Sequence, residues 1–219
     1  MKLTAEQIEC INQTLIGKGI KYDDLKLEVL DHIASEIENE METTNKDFPM
    51  VYKQVFENWN TEFKMTRALF SFNTYYPKLA KSKFGNQFKK ELITSLVLSI
   101  LLLTIFQIIE NKQVKLQFLS VVKEVLFYTY CTTVAVALVI KLMNLKSKVT
   151  STYKHLFDTR FAVMIVFLSV IFNANIPHDL TNQNLFVGTI SCLFVFFVSV
   201  IYVGLKHLQF EQKLSISNS

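Results

Sequence analysis

Apolar positions between the amino terminus and Phe63 recur at helical spacing in three short stretches. Ile8, Ile11 and Leu15 share one stripe. Thr4, followed three residues later by Gln7, matches a capping box ahead of that stripe, and Gly17 and Gly19 supply its stop. A second helix is predicted from Tyr22-Asp23-Asp24, whose carboxylates suit a helix amino end. Its apolar positions are Leu27, Leu30, Ile33, Ala34, Ile37 and Met41, and Thr43-Thr44-Asn45 breaks it. Asp47 then predicts a cap for a third helix, with Pro49 in the first turn, where a missing N–H costs nothing. Val51, Val55, Phe56, Trp59 and Phe63 form its apolar face. Three such helices make a small core, marginal by itself at this size. Support from a partner, a dimer or the membrane surface is therefore expected.

Beyond residue 91 the pattern changes from stripes to continuous apolar runs. Leu92 to Ile109 is dominated by Leu, Ile, Val and Phe, which favours insertion by several kcal/mol. Phe118 to Ile140 makes about 34 Å of helix against a hydrocarbon core of about 30 Å. That excess lets Lys123 and Glu124 lie near one interface. Leu185 to Leu205 is a third clear run. Phe161 to Ile176 is shorter, about 24 Å of helix, and carries Asn173 and Asn175 before Pro177. It is expected to span, by thinning the bilayer or with Arg160 as a snorkelling anchor, and the alternative is a re-entrant hairpin limb. The expected fold is all-α: a small cytosolic three-helix head (1–72), a basic neck (73–91), a four-helix transmembrane bundle (92–205, with spans 92–109, 118–140, 161–176 and 185–205) and a cytosolic tail (206–219).

Charge sharpens this division. Residues 1–62 hold 6 Lys/Arg against 13 Asp/Glu, a net of −7, whereas residues 63–91 hold 7 basic side chains against Glu91, a net of +6. An acidic head argues against nucleic-acid binding, which needs a contiguous basic face. In the neck, Lys78, Lys81, Lys83, Lys89 and Lys90 are candidate lipid-interface residues, since a Lys over an anionic leaflet contributes about 1 kcal/mol. The same lysines also serve simply to orient the first span. Five basic residues in the neck, five in loop 141–160 and two in the tail make twelve on one side, against Lys112, Lys115 and Lys123 on the other. This positive-inside bias predicts both termini in the cytoplasm. The stretch before Gly19 is amphipathic and acidic, with no secretory h-region, in keeping with a cytosolic head. Twenty-one Lys against two Arg, with abundant Ile, Asn and Phe, suits an AT-rich genome and hence a bacterial inner (plasma) membrane protein.

Chemistry is sparse. Half the residues are hydrophobic and mean hydropathy is +0.27. Cys10, Cys131 and Cys192 are too few and too far apart for a disulfide framework. Glu28, His32 and Glu36 share a helix face beside Asp31, but a metal site in a bundle needs matching ligands on facing helices, and these read as a solvated acidic face. No P-loop, GxSxG, HExxH, CxxC or GxGxxG occurs, so no catalytic residue, metal or cofactor is expected. Gln107, Tyr128, Tyr130, Thr132, Thr133 and Ser199 are candidates for interhelical hydrogen bonds within the spans.

The string from Tyr22-Asp23-Asp24-Leu25 through Asp31-His32-Ile33 to Glu36-Ile37-Glu38, followed by Phe48, Val55 and Trp59, resembles the small helical domain called HAAS. It is also similar to the prefix domain found ahead of some permeases. In those families a Tyr-x-Asp/Glu-Leu…Asp-His-Ile/Leu helix precedes several membrane spans. The resemblance covers residues 20–63 and implies a signalling or transport-associated membrane protein of the kind linked to PadR-type regulators. The expected function is a non-enzymatic membrane component whose head binds a membrane or cytosolic protein partner, or self-associates, through an acidic face at Glu36, Glu38 and Glu40. The alternative is a subunit of a small homo-oligomeric channel or transporter, in which hydrophobic gating needs few charges.

Overall fold

The computed structural model describes residues 2–67, 75–173, 176–177 and 179–217. They form seven helices and one two-stranded ladder, divided between two compact units. The first unit comprises Met1–Gly85 together with Val149–Thr152, and the second comprises Asn86–Lys148 and Tyr153–Ser219.

The first unit begins with α1 (Ala5–Gly17), α2 (Asp23–Thr44) and α3 (Phe48–Trp59). The capping box forms as expected: Thr4 Oγ1 accepts from the Gln7 backbone N–H, and Gln7 Oε1 accepts from the Thr4 N–H. Gly19 follows α1 at φ +82°, a conformation that favours glycine. Asn45 closes α2 in the left-handed region, where a short amide side chain is tolerated. Asp47 occupies the cap of α3, yet its side chain makes no capping bond, and Pro49 in the first turn sets the helix start instead.

α2 packs between α1 and α3. The core joins Ile11 and Leu15 to Leu25, Val29, Ile33 and Ile37, and to Val51, Val55 and Phe56, with Phe63 and Ala80 closing it. The stripe on α2 differs from the sequence expectation. Leu27 is exposed and Leu30 only half-buried, while Leu25 and Val29 are buried. The row 25-29-33-37 runs along the i, i+4 direction, and both neighbouring helices lie on that side.

After α3, β1 (Met65–Arg67) and β2 (Tyr75–Pro77) pair antiparallel, with Met65 opposite Pro77 and Arg67 opposite Tyr75. Strands this short cannot show a twofold hydrophobic pattern, so the sequence carries no sign of them. α4 (Lys78–Ile108) starts directly behind Pro77, and the neck from Lys78 onward continues into the first apolar run as one uninterrupted helix. Within it Gly85 is tolerated at a cost of about 1 kcal/mol. The first compact unit thus extends past residue 72, and it also takes in residues 149–152.

The second unit holds the rest of α4 and α5 (Lys112–Lys146), α6 (Thr152–Asn173) and α7 (Leu180–Ser217). Asn111 caps α5 by accepting from the Gln113 and Val114 N–H groups. α5 and α7 pack along one another, with Tyr130, Ala137 and Ile140 against Phe197, Val200 and Val203, and α6 adds Phe157 and Met164. Gly204 allows this close approach: a Cβ there would lie 2.9 Å from Phe157 Cδ2 and 3.0 Å from two Ile140 carbons. A smaller cluster of Phe106, Leu119 and Val187 packs with Ile176 at the other end.

Among the described residues three helices, α4, α5 and α7, are long and apolar enough to cross a membrane, rather than the four expected. Much of the fourth expected span, 161–176, falls on residues whose side chains lie outside the description, Asn173 and Asn175 among them. Its ends are nevertheless placed. Arg160 bonds to Glu91 and Ser199 at one level, and Ile176 packs against the cluster of Phe106, Leu119 and Val187 at the other.

Candidate functional site

Three helices of the second unit converge on one polar cluster at the level where the lysine-rich turns of α4 give way to its apolar run. Glu91 and Arg160 each border an apolar stretch, and Ser199 lies six residues before the end of another. Arg160 Nη1 approaches Glu91 Oε1 at 2.8 Å and Nη2 donates to Oε2 at 3.0 Å, a two-pronged pair. Ser199 Oγ donates to Glu91 Oε1 at 2.5 Å and accepts from Arg160 Nη1. Gln87 Nε2 adds a bond to the same carboxylate oxygen at 2.8 Å. Arg160 and Ser199 are buried and Glu91 nearly so. A charge pair removed from water costs less when every lone pair and proton is used, and this one is neutral and well bonded.

Beside the cluster runs a groove of about 680 Å³ between α4 and α7. Gln87, Lys90, Glu91 and Ser199 line its polar end. Val97, Leu98, Leu101, Phe194 and Val198 line the rest. Tyr202 also faces it and carries Lys206 Nζ 5.7 Å from its ring centroid.

A second polar centre lies in the first unit at the start of α2. Asp24, buried, accepts from the Thr152 N–H at 2.8 Å through Oδ1 and from the Thr152 hydroxyl through Oδ2. Asp23 accepts from the Thr150 N–H at 2.8 Å, and its own N–H donates to the Thr150 carbonyl at 2.6 Å. Lys83 completes the centre, 3.1 Å from Asp24 and 2.9 Å from Glu28. Burial works against the Lys83 charge, but the Glu28 hydrogen bond and the Asp24 charge outweigh it and raise its pKa above 10.5.

The residues singled out in the sequence are thereby divided. Of the neck lysines, Lys83 is engaged with two carboxylates and Lys78 pairs with Glu62 at 2.6 Å, whereas Lys89 and Lys90 are exposed and Lys81 half-buried. On the acidic face, Glu36 accepts from Trp59 Nε1 at 2.7 Å and Glu38 from the Leu3 N–H at 2.9 Å. Glu40 is half-buried, with a side chain in no hydrogen bond or ion pair among the described residues. Asp31 and His32 are exposed, and among the described residues no three His, Cys, Asp or Glu gather in a metal-holding group.

Sequence reasoning took Arg160 as an interface anchor and Ser199 as helix glue, and passed over Glu91. The available signal was a lone acid in a basic stretch and one of only two arginines, each beside an apolar run. Their pairing has no local signature. No protein-family model, no curated protein and no solved structure matches this chain.

Proposed function

We propose that the chain is a multi-pass bacterial inner-membrane protein of accessory or regulatory type, in which a cytosolic helical head engages a protein partner and acts on the membrane helices. It carries no catalytic centre in this reading. The observation that supports it most directly is the inclusion of residues 149–152, the connection between α5 and α6, in the compact unit of the head. Asp23 and Asp24 hold that connection by five hydrogen bonds to Thr150 and Thr152. A partner that shifts α2 therefore pulls on the start of α6. The HAAS-like string of residues 20–63 places the same helix at the centre of the resemblance.

The membrane part is read as four crossings with both termini cytoplasmic. α7 begins where Asn184 accepts from Gln107 near the end of α4, and returns to Ser199 beside Glu91 near its start. This arrangement supports reading α6 as the passage from the Arg160 level to the Ile176 level before α7 begins. Taken as helix, the 16 residues from Phe161 to Ile176 make about 24 Å, which spans a core of about 30 Å with local thinning or with Arg160 as a snorkelling anchor. Alkaline phosphatase fused at residue 180 should be active, and an inactive fusion sinks the topology.

Partner binding is assigned to the acidic face containing Glu36, Glu38 and Glu40. Because Glu36 and Glu38 hold Trp59 and Leu3, Glu40→Lys reads the face without breaking those bonds. Purification of the full chain in mild detergent should recover a stoichiometric partner that Glu40→Lys releases while helical circular dichroism stays constant. Unchanged recovery refutes the assigned face. A homo-oligomer that conducts in proteoliposomes replaces this reading with the channel.

A further inference from the structure

We propose that the groove between α4 and α7 is a binding site for one anionic phospholipid, with its phosphate at Lys90 and Lys206 and an acyl chain along Val97 and Leu101. The inference rests on the membrane reading above. Three observations carry it.

The groove is graded along its length. Gln87, Lys90, Glu91 and Ser199 form one end, and the walls beyond are Val97, Leu98, Leu101, Phe194 and Val198. Its volume of about 680 Å³ lies within the range of sites for small amphiphilic ligands. Its length also fits one leaflet. From Glu91 to Leu101 α4 rises about 15 Å, half of a hydrocarbon core of about 30 Å.

The charge at the polar end selects the headgroup. The Glu91 carboxylate is closed off by Arg160, Gln87 and Ser199, and with Arg160 it sums to zero. The other charged residue lining the groove is Lys90 on α4, and Lys206 on α7 lies over the ring of Tyr202, which lines the opposite wall. A zwitterionic headgroup adds its own cation to that end, whereas a phosphodiester with a neutral alcohol does not. A second copy of this chain would have to present a matching acid at the polar end of the groove; no acidic residue lies within Leu92–Ile109, Phe161–Ile176 or Leu185–Leu205, and Glu124 of Phe118–Ile140 lies towards the Lys112 end of the helices, away from that polar end.

Native mass spectrometry of the full-length protein, released from detergent containing equimolar phosphatidylglycerol and phosphatidylcholine, tests the site. One phosphatidylglycerol per chain should be retained, with a preference on the order of tenfold. Lys90→Gln with Lys206→Gln should bring the two lipids near parity, and Val97→Trp should remove the lipid by filling the chain position. Lys112→Gln with Lys115→Gln, at the other end of the helices, should change nothing. Equal retention of both lipids by the unaltered protein overturns the proposal and needs no variant to fold. So does a lipid-free dimer, or full retention in Val97→Trp. A chain washed from membranes by alkaline carbonate overturns the membrane reading as well, whereas an integral chain without lipid preference removes only the site.

Discussion

Arg160 and Glu91, 69 residues apart in the chain, meet in a two-pronged ion pair that joins α6 to α4, with Ser199 of α7 bonded to both. The pair is largely buried, so each charge depends on the other for its solvation. Removing one partner by Arg160→Ala or Glu91→Ala should destabilise the protein by about 3–5 kcal/mol. Replacing both, Arg160→Met with Glu91→Leu, should recover most of that loss. Thermal unfolding in detergent, read as a double-mutant cycle, checks this; additive losses would mean that the two side chains do not act as a pair.

Asp24 ties the amino end of α2 to Thr152, 128 residues away, and to Lys83. Asp24→Ala leaves the Thr152 N–H and the Lys83 ammonium without this acceptor, and should cost about 2 kcal/mol. The local consequence is sharper than the global one. The exposed Lys148, just before the held connection, should become a faster site of tryptic cleavage. A cleavage rate equal to that of the unaltered protein would show that Asp24 does not hold the connection.

His155 precedes the expected span on α6, and burial lowers its pKa below 6.5, with Asp158 opposing the shift only in part. A base with a lowered folded pKa binds its proton more readily when unfolded. Its contribution to stability is therefore complete above pH 6.5 and is lost as pH falls from there towards the folded value. Melting temperature in detergent should decline across that window, and His155→Gln should flatten the decline. An identical pH profile in the variant would locate the sensitivity elsewhere.

Gly204 is required by the approach of α7 to Phe157 and Ile140. Gly204→Val places branched carbons where a Cβ already lies within about 3 Å of both, and such overpacking costs about 1–3 kcal/mol. Gly188, whose would-be Cβ meets nothing within 4 Å outside its own helix backbone, provides the control, and Gly188→Ala should melt no lower than the unaltered protein. Equal melting of Gly204→Val would show that the helices separate there at no cost.

The sequence by itself determined the helices and their ends. The Thr4 capping box, the stop at Gly17, the break at Asn45 and the start behind Asp47 all involve groups within a few residues of each other. Three apolar runs were equally legible, because transfer into hydrocarbon adds up residue by residue along a helix. Tertiary structure decided which of those side chains meet. Leu25 rather than Leu27 enters the core because α1 and α3 both approach that flank of α2. The neck lysines look alike in sequence, yet Lys83 is drawn to Asp24 and Glu28 while Lys89 and Lys90 stay exposed. Glu91, Arg160 and Ser199 become one cluster only when three helices cross at one level. Nothing within a few residues of any of them encodes that encounter; it follows from how long helices register against one another.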